Sequence, residues 1–308
     1  KLAEASFRKA LEAVPKLAAA RVALAQLYIS TGDSNKAEDE LINATKDDPE
    51  NESLLHVLGG YYKSTRHFDD VEKIYLEFLK KKPDSLPAKK RLAEVYIIKK
   101  DFKSARYYTD AILKAEAADP DGLFFRGRLA LEDGNAKQAV SDLLAAARNR
   151  LRFAPGFYLL GMAQARNNQI EDAIKSLTWA SDLTPNWLPP RIRLARIYAA
   201  RGDLKLAQEL SDNVLQRDPN NPEALLISGT ARLKNNEFEK ALALFRRARE
   251  QSAGDPAPRI NIAAVYLLQK KYPEAMKEYE AALDLDPEHL DALKAITQIL
   301  KKNCDRHL

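Results

Sequence analysis

Residues 18–51, AAARVALAQLYISTGDSNKAEDELINATKDDPEN, decide how the rest of the chain is read. Leu24 and Ala25 stand side by side and Tyr28 follows. Gly32, Ala37, Leu41, Ala44 and Pro49 punctuate the remainder. A related residue usually stands 34 positions further on. The small residue Ala25 continues as Gly59, Ala93, Gly127, Gly161, Ala195, Gly229 and Ala263. A second small position runs Ala3, Ala37, Val71, Ala105, Ala139, Ala173, Ala207, Ala241, Ala275. Prolines close many of the repeats: Pro15, Pro49, Pro83, Pro185, Pro219 and Pro287. A fixed period of this size marks a stack of supersecondary units, none of which can bury its apolar face alone.

Each repeat holds two apolar-periodic stretches of roughly four helical turns. Small residues let two helix backbones approach, and large neighbours such as Leu24 and Tyr28 fill the space around them. Gly32 suits a left-handed helix end, and Asp33 is expected to cap the next helix. Gly134–Asn135 and Gly202–Asp203 repeat that punctuation. Pro49 cannot continue a helix interior and fits the turn into the next repeat.

The order Leu-small-x-x-Tyr, Gly, Ala-x-x-x-aromatic/Leu-x-x-Ala, Pro resembles the tetratricopeptide repeat (TPR) family, and the resemblance covers nearly the whole chain. It implies an all-α fold, an α-α superhelix or solenoid of stacked antiparallel helix pairs. Residues 1–308 are expected to form a single array. Residues 1–17 read as the second helix of an incomplete repeat. Eight repeats cover 18–289, a capping helix 290–302, and a frayed tail 303–308. Leu293, Ile296 and Leu300 are expected to face the stack, with Lys294, Gln298, Lys301 and Lys302 toward water. Repeat ends at Ala117, Leu151 and Ala253 lack proline, so reshaped turns and slightly longer second helices are expected there.

The chain has 308 residues and a formal net charge of +5, with 49 basic against 44 acidic residues. That balance permits an acidic partner without demanding nucleic acid. The single Cys304 excludes an internal disulfide framework and a cysteine-rich metal site. No apolar run approaches the ~20 residues of a membrane span, so a soluble chain, cytoplasmic or periplasmic, is expected. It starts at Lys1 inside a second helix, which fits a fragment or a processed chain and leaves room for an upstream targeting segment.

Some repeats depart from the pattern. Arg126 and Ser228 stand where Leu is expected, and Gln164 and Arg232 where Tyr is expected. Long stems that snorkel to water account for the arginines. The sharper reading is a local bend or a second contact surface in repeats 5 to 8.

In this family the first helix of each repeat lines the concave face. The resemblance therefore places a groove along repeats 4 to 8. Its apolar strip is Phe124, Tyr158, Met162, Ile192, Leu226 and Ile260. Lys90, Arg128, Arg166, Arg196 and Lys234 lie around it, with Glu94 and Glu132. Apolar anchors rimmed by charge suit a peptide, because burial supplies energy and charge supplies steering. The plain structural alternative is that these apolar residues pack between neighbouring helices. The two-carboxylate clamp of chaperone-tail binders is absent: Lys90 is followed by Glu94, and the next positions are Phe125 and Pro155. The asparagine ladder of glycosyltransferase-linked arrays is also missing, with only Asn261 in that series.

The four histidines have no second ligand type at metal-binding spacing. No phosphate loop, nucleophile elbow or HExxH occurs. No enzyme site, cofactor or metal is expected. The basic stretch from Lys80 to Arg106 reads as solvated helix faces, with a dock for acidic protein, anionic lipid or RNA as the alternative. Sequence-specific nucleic-acid reading would need a regular code per repeat, which the groove series lacks. The reading is a non-catalytic scaffold for a protein or peptide partner carrying acidic and apolar residues. The alternatives are an accessory or regulatory region of a larger enzyme or of a bacterial envelope or secretion assembly, and a nonspecific anionic-polymer binder. The sequence leaves the oligomeric state open.

Overall fold

The computed structural model describes residues 2–148 and 150–304. These residues form eighteen α-helices and no strand. The chain divides into two compact units, Lys1–Arg150 and Leu151–Leu308. The N-terminal unit runs α1 (Leu2–Ala13), α2 (Ala18–Thr31), α3 (Ser34–Asp47), α4 (Glu52–Ser64), α5 (Phe68–Lys81), α6 (Leu86–Lys99), α7 (Phe102–Ala115), α8 (Pro120–Glu132) and α9 (Ala136–Arg148). The C-terminal unit runs α10 (Ala154–Arg166), α11 (Ile170–Leu183), α12 (Pro189–Arg201), α13 (Leu204–Arg217), α14 (Pro222–Lys234), α15 (Phe238–Gln251), α16 (Ala257–Leu268), α17 (Tyr272–Leu283) and α18 (Leu290–Cys304).

From α3 to α17 the second helices begin at 34, 68, 102, 136, 170, 204, 238 and 272, one repeat apart. Each first helix ends on a left-handed residue in the same register. Glycine fills it at 32, 134 and 202, but Arg66, Lys100, Asn168, Asn236 and Lys270 adopt it too, with φ near 60°. The turn is imposed by the need to fold the second helix back on the first, so side chains that disfavour it are carried along.

The small positions are where paired helices touch. Ala37, Ala105, Ala139, Ala173, Ala207, Ala241 and Ala275 are fully buried. A Cβ added at Gly229 would come within 2.5 Å of Phe245, and one at Gly161 within 2.6 Å of Leu177. Glycine at these two places admits a large side chain from the partner helix.

Several local expectations change. Asp33 sits at the start of α3 but makes no side-chain cap; its carboxylate lies 3.2 Å from Lys36 instead. Asn51, Ser85, Asp101, Asp119 and Asn221 do cap their helices. The second helices α7, α9 and α15 are not lengthened: they hold 14, 13 and 14 residues, like their counterparts. On α18, Leu293 and Leu300 are exposed, and Ala292 and Ile299 are the buried residues, with Ile296 packed beside them. The reason is one-sided packing: Ala292 and Ile299 share a cluster with Ala263, Ala275 and Tyr279, and α18 is the last described helix. Helix α18 runs to Cys304, past 302. The side chain of Lys302 and the tail residues 305–308 lie outside the described residues.

The departures from the repeat pattern are paired rather than simply snorkelled. Arg126 donates two hydrogen bonds to Asp142 of α9, at 2.8 and 2.7 Å, and Asp142 is 3% exposed. Ser176 donates to Gln164 at 2.7 Å. Ser228 and Arg232 both donate to Asp212 of α13, at 2.6 and 2.9 Å. Each polar residue in a packing position meets a polar partner on the helix it packs against, which offsets its desolvation.

A candidate partner-binding groove

In the N-terminal unit the expected groove residues are Lys90 on α6, and Phe124 and Arg128 on α8. Lys90 reaches Asp119 and Asp121 at the start of α8, and Asp119 is buried. Burial opposes the charge of Lys90, but these two carboxylates outweigh it and raise its pKa. Lys90 thus ties α6 to α8. Burial lowers the pKa of Arg128, against the opposing pull of Glu132 and Glu94. Phe124 packs against the hydrophobic core, with its ring 5.9 Å from that of Phe125. Phe124 is half-buried, as Leu226 is.

The C-terminal unit carries Tyr158, Met162 and Arg166 on α10, Ile192 and Arg196 on α12, and Leu226 and Lys234 on α14. Tyr158, Met162, Ile192 and Leu226 are half-buried, whereas Arg166, Arg196 and Lys234 are exposed. Leu226 also leans on the core around Phe245, and Ile260 on the core around Tyr279. Between α10 and α12 these elements form an open pocket of about 350 Å³. Gly161, Met162, Ala165, Leu177 and Ile197 supply its apolar walls, and Arg166, Arg193 and Arg196 supply guanidinium groups. Among the described residues no carboxylate lines it.

The order of α10 and α12 explains this chemistry. A helix positions residues three or four apart on one face. Met162 and Arg166 therefore come together, as do Arg193, Arg196 and Ile197. Tyr158 makes an edge contact with Trp187 from the loop before α12, at 4.9 Å between centroids. Tyr158 lies beside Arg193 and raises that guanidinium's pKa. Glu223, in the first turn of α14, lies 3.2 Å from Arg196 and 3.7 Å from Arg193. The sequence reading missed Arg193, Ile197, Trp187 and Glu223. The helical spacing Arg193–Arg196–Ile197 was the signal available.

The basic stretch Lys80–Arg106 is largely neutralised. Lys80 pairs with Glu77, Lys82 with Glu50, Arg91 with Glu94, and Lys99 with both Asp69 and Glu72. Arg106 makes a two-pronged contact with Asp133, and Lys90 is engaged as above. Six of its ten cations thus meet carboxylates, several from neighbouring helices. Among the described residues no cluster of three or more metal-ligating side chains occurs. No described helix is long and apolar enough to cross a membrane.

Two family models described as tetratricopeptide repeat match, one at residues 192–256 and the other at 1–58 and 232–299. The chain is 24% identical to "Protein CTR9 homolog" of Arabidopsis thaliana, over 97% of this chain and 28% of that protein. It is also 24% identical to "Cellulose synthase operon protein C" of Pseudomonas fluorescens, over 97% of this chain and 27% of that protein. The chain therefore spans less than a third of the length of these relatives. Among solved structures, the APC/C hetero-tetramer Cut9-Hcn1 matches with a TM-score of 0.66 at 16% identity. That match covers 95% of this chain and 58% of the other. At that identity the likeness speaks for the fold.

Proposed function

The chain belongs to the tetratricopeptide repeat family, and we propose that it is a non-catalytic interaction scaffold whose C-terminal unit binds a segment of a partner protein along its first helices. Residues 1–308 form one repeat series in this reading. The observation that carries it is the strip Tyr158, Ile192 and Leu226, half-buried and one repeat apart, beside exposed Arg166, Arg196 and Lys234. Half-buried apolar side chains supply contact area without collapsing into the core, and the cations orient an acidic partner. Arg128 and Phe124 serve the same role in the N-terminal unit only in part, since both are drawn into local packing.

The test is selection of a displayed peptide library against the whole chain. Selected peptides are then measured against Met162→Glu/Arg196→Glu and against Lys205→Glu, an exposed change on the second helix α13. The expected result is a loss of at least about tenfold in the groove variant and little change in the control. Equal binding by all three proteins would sink the groove reading.

A second reading rests on coverage. Relatives more than three times as long suggest an accessory or regulatory region of a larger assembly. Binding that returns only when adjoining residues are supplied would favour it. A nonspecific anionic-polymer role is disfavoured by the ion pairing of the Lys80–Arg106 stretch; a steep salt dependence of binding would revive it.

A further inference from the structure

The pocket between α10 and α12 holds three guanidinium groups, and Glu223 reaches two of them from α14. Its engagement is incomplete. The oxygen Oε1 that faces Arg193 and Arg196 is buried, yet it makes no hydrogen bond among the described residues. The distances of 3.2 and 3.7 Å are ion-pair distances, longer than a charge-assisted hydrogen bond of roughly 2.8 Å. Arg196 is well exposed, with 64% of its side chain accessible. Glu223 thus neutralises part of the positive charge without using the donor geometry of either guanidinium.

We propose that Glu223 stands in for a ligand carboxylate in the free protein, and that this pocket binds an Asp or Glu side chain of a partner segment, with an adjacent apolar residue against Met162, Ala165 and Ile197. The inference rests on the groove reading above and deepens it. A guanidinium fork matches a carboxylate with two parallel bonds, which Glu223 does not achieve from its position. The incoming acid displaces Glu223 from Arg193 and Arg196 and gains that geometry. Arg193 stays charged when Glu223 leaves, because a guanidinium does not give up its proton near neutral pH. The strip continues on either side, to Tyr158 and to Leu226, so a bound segment runs through the pocket rather than ending in it. The acid is therefore a side chain and not a chain terminus.

An internal competitor has a distinctive signature: removing it strengthens binding. The probes are fluorescein-labelled peptides of about twelve residues, identical except for a central Glu-Leu, Gln-Leu or phosphoserine-Leu pair. Binding to the full chain is read by fluorescence polarisation at low salt. Glu223→Gln is expected to tighten the Glu-Leu peptide by about three- to tenfold and to leave Gln-Leu within about twofold. Arg193→Gln is expected to weaken Glu-Leu selectively. Thermal melts check that each variant folds, and Glu223→Ala provides a second variant with the same expected sign. Unchanged or weaker Glu-Leu binding by both Glu223 variants would overturn the inference. Binding of the phosphoserine peptide alone would overturn the carboxylate assignment. If Glu-Leu and Gln-Leu bind equally in every variant, the groove survives and this inference fails. If neither binds, both fail.

Discussion

The two units bury their repeats with different polar chemistry. In the N-terminal unit three tyrosines one repeat apart, Tyr28, Tyr62 and Tyr96, donate their hydroxyls to Glu4, Glu38 and Glu72 of the preceding second helix. All three bonds measure 2.9 Å, so the contact recurs as regularly as the sequence does. In the C-terminal unit the same positions pair Tyr198 with Ile174, Arg232 with Gln208, and Tyr266 with Leu242. The ladder is lost there. Gln164 and Ser176 pair within one repeat, and Arg232 in place of a tyrosine reaches back to Asp212 on the preceding second helix. The lesson is that one backbone register tolerates two ways of satisfying buried polar groups. The N-terminal unit ties each repeat to the one before it and pairs most of its Lys80–Arg106 cations. The C-terminal unit keeps exposed arginines beside an apolar pocket.

The largest expected effect comes from a buried charge. Arg126→Ala strips Asp142 of two hydrogen bonds while Gln138 alone remains, and Asp142 has almost no access to water. A loss of about 3 kcal/mol in urea unfolding is expected. An arginine-to-carboxylate change in the C-terminal unit, Arg232→Ala, leaves Asp212 with Ser228 and with a third of its surface in water. It should cost about 1 kcal/mol. Equal losses would break the contrast between a sealed and a vented carboxylate.

A smaller effect tests the ladder itself. Tyr62→Phe should cost about 1 kcal/mol, whereas Tyr198→Phe, which has no carboxylate opposite, should stay within about 0.5 kcal/mol. Alkali sharpens the comparison. Burial, then the bond to the glutamate, raises the pKa of Tyr62 and of Tyr96, and burial pushes Tyr75 up to about 12. A raised folded pKa means that stability is intact below the unfolded value of ~10 and is lost as pH rises through the folded one. The N-terminal unit should therefore lose hydrogen-exchange protection progressively above about pH 10. In Tyr62→Phe/Tyr96→Phe that loss should be shallower. An identical alkaline profile in wild type and variant would remove the ladder from the account.

The smallest effect is a gain. Lys100 holds the left-handed turn position that Gly32, Gly134 and Gly202 fill elsewhere. Lys100→Gly relieves its strained backbone at some entropic cost, and a stabilisation of about 0.5 kcal/mol is expected. Lys270→Gly should do the same in the C-terminal unit. A destabilised variant in either place would show that the lysine stem contributes packing that outweighs the strain.

Much of the fold was legible. The alternation of Leu24–Ala25 and Ala37–Leu41–Ala44, carried forward by a constant period, located both helices of every repeat and the turn at Gly32. The candidate groove was legible only in outline. Tyr158, Met162, Arg166 and Arg196 fell on the expected helices, but Lys90 is a strut to Asp119, Phe124 leans into the core, and Arg193 and Glu223 went unnoticed. On α18 the apolar pattern could not say which face had a neighbour, so Leu293 and Leu300 were placed inward when only Ala292 and Ile299 are buried.

The sequence by itself determined the repeat length, the helix starts, the left-handed turn register and the small residues at each helix contact. These follow from local sterics and helical period, which act over a few residues. Only the tertiary structure decided that Arg126 meets Asp142, that Tyr62 meets Glu38, and that Glu223 reaches Arg193 and Arg196. Those partners lie 16 to 30 residues apart in the chain. Which charges meet depends on the faces that neighbouring helices present to each other, and that is settled by packing.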